Sequence, residues 1–168
     1  MTPIDYAEDL RSTVTRVAPY LSGVPVAAIT RKPAPGKWST KEIIGHLVDS
    51  AANNHARFVR AQLQDDLIFP GYAQVEWVEA QRYQEAPWPD LAALWREYNL
   101  HIAHVIESMP DEVRLRVRPR HNLHEIAWQT LPPGVPATLD YFMRDYVAHL
   151  HHHLRQIDAL IGGIYPTR

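Results

Sequence analysis

Within YVAHLHHHLRQI, residues 146–157, four histidines occupy five positions beside a tyrosine, two leucines and an isoleucine. Imidazole can ligate a metal, carry a proton or hydrogen-bond within a core, and geometry separates these uses. At about 100° per residue, with Tyr146 at the centre of a buried helical face, Leu139, Phe142, Leu150, Ile157 and Leu160 fall within roughly 40° of it. His153 then lies about 20° from that centre and His149 about 60°, while His151 and His152 lie beyond roughly 120° and should point at solvent. His149 and His153 are therefore an i, i+4 pair on one apolar face, spaced to chelate a single ion. The competing reading makes both of them core histidines, each needing its own buried hydrogen-bond partner.

A third ligand from another helix would favour the ion, and His46 is the candidate. It flanks the apolar face around Leu47, in line with Ser50, Asn53 and Arg57. Such a polar stripe is ordinarily solvated surface, but in a bundle it can line a pocket between helices. His55, about 80° from Leu47 on the opposite flank, reads as a partly exposed packing residue. His101 and His104, beside Glu97 and Ser108, read as an exposed polar edge. His121-Asn122-Leu123-His124-Glu125 has no clear helix to hold it, and its glutamate lies outside the histidine pair, so it is not the HExxH motif.

Prolines punctuate the chain and leave four amphipathic stretches between them. The first, about 5 to 21, opens with Thr2-Pro3-Ile4-Asp5, a cap with Pro at the first helical position, and Pro19 should disturb its last turn. The second, about 40 to 64, opens with a capping box, Ser39-Thr40-Lys41-Glu42, with Trp38 and Ile43 as a hydrophobic staple. The third, about 90 to 109, repeats Leu91, Leu94, Trp95, Tyr98, Ile102, Val105 and Met109. The fourth, about 138 to 161, stops at Gly162-Gly163. These predict an all-α four-helix bundle in a single domain, 1–168, with a short extra helix around 75–83. The segment 111–137 should be irregular, although Val113 to Val117 alternates like a strand, which would need a partner.

Composition narrows the function. Seventeen Lys and Arg against nineteen Asp and Glu, with no long basic run, give no footprint for nucleic acid. No apolar run approaches a membrane span, and MTPIDYAEDL lacks the charge and apolar core of a signal peptide, so a cytoplasmic setting is expected. There is no cysteine, so any metal must be held by His, Asp or Glu, and any thiol must arrive from outside. The expected partner is a small-molecule substrate, and a homodimer is compatible with the pattern.

Two segments, KWSTKEIIGHLVDS at 37–50 and the stretch from Ala137 to Ile157 ending HLHHHLRQI, resemble the DinB-like superfamily, and within it the YfiT-type metal-dependent hydrolases and bacillithiol transferases. The resemblance implies a four-helix bundle in which His46, His149 and His153 bind a divalent metal, with zinc or nickel as the first expectation. Relatives of this type often carry Trp before the first histidine of the last helix and Gly after it. Here those positions are Ala148 and Leu150, which implies a reshaped pocket.

Three neutral imidazoles leave one position on such an ion open, the arrangement of a catalytic site. The resemblance thus implies either transfer of a low-molecular-weight thiol cosubstrate to an electrophile or metal-assisted hydrolysis. Beyond the metal-activated nucleophile no catalytic group is identified. Arg57 is a candidate for holding an anionic group, and Asp49, Ser50 and Asn53 for contacts beside the ligand histidines, against the plainer reading that they are surface residues. The rival function is a non-enzymatic, metal-stabilised helical module that binds a ligand or partner, which a fourth protein ligand such as His101 would favour.

Overall fold

The computed structural model describes residues 3–164, so the expected Thr2 cap lies outside the described residues. Along the chain run α1 (Pro3–Ser22), α2 (Val26–Thr30), α3 (Thr40–Arg60), α4 (Gln74–Ala80), α5 (Trp88–Glu107), α6 (Asp111–Arg114), α7 (Leu123–Ile126) and α8 (Leu139–Ile161). The long helices α1, α3, α5 and α8 form a four-helix bundle that packs in the cyclic order α1–α5–α3–α8. Successive long helices α1 and α3 thus lie across the bundle from each other, and α3 is wedged between α5 and α8. That order brings the two histidine-bearing helices together.

Local chemistry fixes the ends of the site helices. Ser39 Oγ accepts from Glu42 N while the Glu42 carboxylate accepts from Ser39 N at 2.8 Å, so the first turn of α3 is capped from both directions. Thr138 Oγ1 caps α8 by accepting from Tyr141 N at 3.1 Å. Gly162, at φ 71°, ends α8 in a conformation that costs other residues energy. Between the helices, Trp95, Phe58, Phe142 and Leu47 are buried in one core, where Phe58 meets Phe142 and Tyr146 edge-on at 5.8 Å.

Several expectations need correction. Pro19 does not disturb α1, which continues to Ser22; Thr15, whose carbonyl loses its bond there, is exposed and open to water. Leu94 is half exposed rather than core. The buried face of α5 is turned toward Asn99 and Ile106, and the Tyr146 hydroxyl donates to Asn99 Oδ1 at 2.5 Å. As expected of an irregular segment, residues 113–117 form no strand: α6 ends at Arg114, and Leu115 and Val117 are exposed.

Two buried arginines explain that segment. Arg114 turns inward to pair with Asp111 and Asp140. Arg118 makes an isolated two-residue bridge with Ala137 and donates to Ala61 O at 3.0 Å, satisfying a carbonyl just past the end of α3. The short helices α2, α6 and α7 leave no mark in the hydrophobic pattern. Among the described residues, no helix is long and apolar enough to cross a membrane.

Candidate metal centre

His46 projects from the second turn of α3, and His149 and His153 from adjacent turns of α8. One ring nitrogen from each comes within 4.8 Å of the other two. The converging atoms are Nε2: His153 Nε2 lies 3.0 Å from His149 Nε2, which lies 3.4 Å from His46 Nε2. His46 is fully buried, His153 nearly so, and His149 half-buried. Burial holds His46 down to about 3, His149 to about 2 and His153 to about 4, with repulsion among the neighbouring rings adding to it. All three are therefore neutral near pH 7, with lone pairs available.

The far side of two rings fixes which nitrogen carries that lone pair. His153 Nδ1 lies 2.8 Å from Gln156 Oε1, which can only accept, so the proton belongs on Nδ1 and Nε2 is left bare. Ser50 Oγ lies 3.4 Å from His149 Nδ1 and can play the same part there. His46 Nδ1 is buried without a hydrogen-bond partner among the described residues, while Trp38 packs against the ring at 5.0 Å. Among the described residues, no carboxylate belongs to the cluster. Three neutral nitrogen donors suit a divalent transition metal and not the hard cations, which require oxygen. The residues present therefore fit the ion that the sequence led us to expect.

Not all of the polar stripe faces the site. Asp49 is buried, but its Oδ1 accepts from Gln81 and from the Tyr83 hydroxyl, each at 2.7 Å, so it ties α3 to the turn after α4 rather than to a histidine. Asn53 donates back to Asp49 O within its own helix. Arg57 is buried, contrary to the surface reading, and lines a cavity of about 300 Å³ with Ser50, Asn54, His149 and His153.

His101 is exposed on α5 and packs against His55, 4.9 Å away. His55 follows His46 by nine positions, about half a turn round the helix, so His101 is on the other side of α3 from the cluster. Nor are His151 and His152 simply solvent-facing. His151 Nε2 meets Asp9 of α1 at 2.8 Å, and Trp128 covers His152 at 5.1 Å, because α1 and the loop after α7 pack along those flanks. His121 is structural, with Nε2 2.7 Å from Val135 O.

Sequence reasoning missed Gln156, Trp128 and Asp145. Gln156 was within reach, three residues after His153 and on its flank. Trp128 and Asp145 were not, because Asp145 matters through the backbone of a loop: it accepts from Trp128 N at 2.9 Å and Gln129 N at 2.7 Å, holding Trp128 near His149. A second, more open cavity of about 620 Å³ lies on the other side of His153. Trp38, Ile43, Val78 and Leu160 line it, with Lys32 and Lys37 also in its wall. His153 thus stands between two cavities.

Comparison with known proteins follows the same lines. The sequence profile described as the DinB superfamily matches residues 9–157. YfiT of Bacillus subtilis (strain 168), described as a probable metal-dependent hydrolase, is 24% identical over 125 residues, or 74% of this chain and 65% of that protein. The match thus spans just under two thirds of that relative's length. The solved YfiT structure, described as a four-helix bundle of unusual topology, is similar to this one with a TM-score of 0.76, over 94% of this chain and 85% of that one at 19% identity. At that identity, the likeness speaks to the fold.

Proposed function

The chain belongs to the DinB superfamily, and from that premise we propose that it is a metal-dependent enzyme whose His46, His149 and His153 hold one divalent ion. Zinc or nickel is the expected metal. The observation that carries the reading is the convergence of three neutral Nε2 atoms with no acid among them. When bound, an ion with three such ligands supplies Lewis-acid activation of water or a thiol near neutral pH. The chain's own residues do the rest: Gln156 and Ser50 orient the imidazoles, Trp38 and Trp128 exclude water from their flanks, and the two cavities receive the reactants. Two compartments meeting at one histidine suit a reaction between a small nucleophile and a separate electrophile. With no cysteine in the chain, a thiol nucleophile is a cosubstrate. The description of YfiT as a probable metal-dependent hydrolase supports the hydrolytic version, with water in the same role.

Elemental analysis of untagged protein, purified without added metal, tests the first half. One ion per chain is expected, lost in His149→Ala and His153→Ala and retained in His151→Ala and His152→Ala. Equal loss from all four variants would refute the assignment. A panel of small thiols with a generic electrophile, run beside esters and amides, tests the second half. Turnover should need the metal and fail in His46→Ala.

A further inference from the structure

The smaller cavity contains an unusual pair of charges. Arg57 on α3 and Asp145 on α8 are each only 5% exposed, and both line it. Among the described residues neither has an ion-pair partner within 4.0 Å, and they do not pair with each other. Burying an unpaired charge is costly, so each needs compensation. Arg57 is partly served: it donates to Pro70 O at 2.8 Å and weakly to Asn54 Oδ1 at 3.4 Å, and lies over the Phe142 ring at 5.9 Å. Five donors make up a guanidinium, so most of its capacity is unspent. The Asp145 oxygens each accept one backbone N–H and have lone pairs to spare. Burial pushes the neighbouring Tyr72 phenol up, so it stays neutral and supplies no counter-charge.

A bare anion in this space would be drawn to Arg57 and repelled by Asp145, and a bare cation the reverse. A molecule carrying both charges on groups attached to one carbon answers both walls at once. The volume, about 300 Å³, is at the small end of ligand cavities. We propose that this cavity is a subsite for a zwitterionic α-amino-acid group, its carboxylate on Arg57 and its ammonium on Asp145. Glu125, exposed and also lining the cavity, adds negative charge of the sign an ammonium requires. His149 and His153 line the same space, so the side chain of such a molecule faces the imidazoles. That last orientation rests on the metal reading above, and makes a β-thiol or β-hydroxyl amino acid the reactant class.

The test is equilibrium binding by calorimetry to zinc-loaded protein, comparing L-cysteine, cysteamine (no carboxylate) and 3-mercaptopropionate (no ammonium). Each probe is measured on wild type and on Arg57→Met, so that its intrinsic affinity for zinc cancels. Wild type should lose about tenfold of its L-cysteine affinity in Arg57→Met, as expected for a charge-assisted pair, while cysteamine is unchanged. Asp145→Asn should weaken L-cysteine and cysteamine but spare 3-mercaptopropionate. A parallel arm on metal-free protein compares L-serine with ethanolamine by ligand-observed NMR. It should show the same dependence on Arg57, and it decides the subsite even if zinc fails to bind. Equal binding of the three thiols on wild type and Arg57→Met, or a cysteamine loss as large as that of L-cysteine, would overturn the proposal and leave Arg57 as an anchor for the Pro70 loop. Should Asp145→Asn fail to fold, the Arg57→Met and ligand comparisons still decide it.

Discussion

If one ion joins α3 to α8, removing it should cost stability by an amount that can be worked out in advance. A metal that binds the folded chain and not the unfolded one contributes RT ln(1 + [M]/Kd), about 2.7 kcal/mol at a free concentration a hundredfold above Kd. Unfolding entropy is about 2.1 cal/mol/K per residue. For 168 residues that totals roughly 350 cal/mol/K, so the loss amounts to about 8 °C in melting temperature. The bundle should nevertheless stay folded, because its core, built around Trp95, Phe58 and Phe142, is complete without the ion. The assay is calorimetric melting in a zinc buffer of fixed free concentration, then in excess chelator, for wild type and His46→Ala. Each variant is compared with itself, so the cavity left by the missing imidazole cancels. Wild type should drop by about 8 °C and His46→Ala should not respond. An unchanged wild-type curve after verified metal removal would refute an ion bridging the helices. A full response in His46→Ala would place the ion on α8 alone.

Gln156→Leu removes the acceptor 2.8 Å from His153 Nδ1 and should weaken metal affinity by about ten- to a hundredfold, read by competition with a chromogenic chelator; unchanged affinity would show that the ring needs no orientation. Gly45→Ala would put a Cβ 2.2 Å from the Tyr83 ring, and since the hydroxyl anchors that ring to Asp49, the midpoint of urea unfolding should reveal a loss of about 1–3 kcal/mol. Metal-free protein should lose stability in acid. The three site histidines sit well below their unfolded value of 6.5, so the unfolded chain takes up protons first as pH falls. Stability is therefore full above about pH 6.5, declines below it by at most about 4 kcal/mol per unit, and levels off only as the folded histidines protonate. Urea midpoints between pH 7.5 and 5 should show this slope, and His149→Asn should flatten it; an identical slope in that variant would assign the acid lability elsewhere.

The four long helices were legible because each combines an apolar stripe with punctuated ends, and both signals are local. Their packing order was not legible. Nothing within α1 or α3 says that they will lie across the bundle from each other, since that depends on how each stripe matches a distant partner. The same distinction divides the site. The histidine pair on α8 could be sorted by angle alone, and His46 could be singled out from its flank of α3. Which residues attend them depends on the neighbour each flank receives. Ser50 lies about 40° from His46 around α3 and reaches His149, whereas Asp49 lies about 60° away on the other side and meets Tyr83 instead. The alternation at 113–117 builds no strand for a related reason, because Arg114 within it is recruited inward by Asp140 and Arg118 just beyond it by the carbonyl of Ala61.

The division between helices and loops also bears on how such a site could change its chemistry. All three histidines come from α3 and α8, and neither α1 nor α5 adds a residue to the cluster. Part of the surrounding wall is irregular chain: the segment at Tyr72 and the loop carrying Trp128 on one side, and the Lys32 to Trp38 connection on the other. Rigid elements thus hold the atoms that need fixed positions, while segments that tolerate substitution shape the two cavities. Leu150, where relatives of this type often carry glycine, is fully buried in the core and not in either cavity wall. Reshaping of the pocket is therefore better sought in Trp128 and the Arg57 cavity than in that departure. Exchanging loop 127–129 should accordingly alter which small molecules bind while leaving metal stoichiometry at one per chain, and loss of the metal on that exchange would show that the loop is part of the centre.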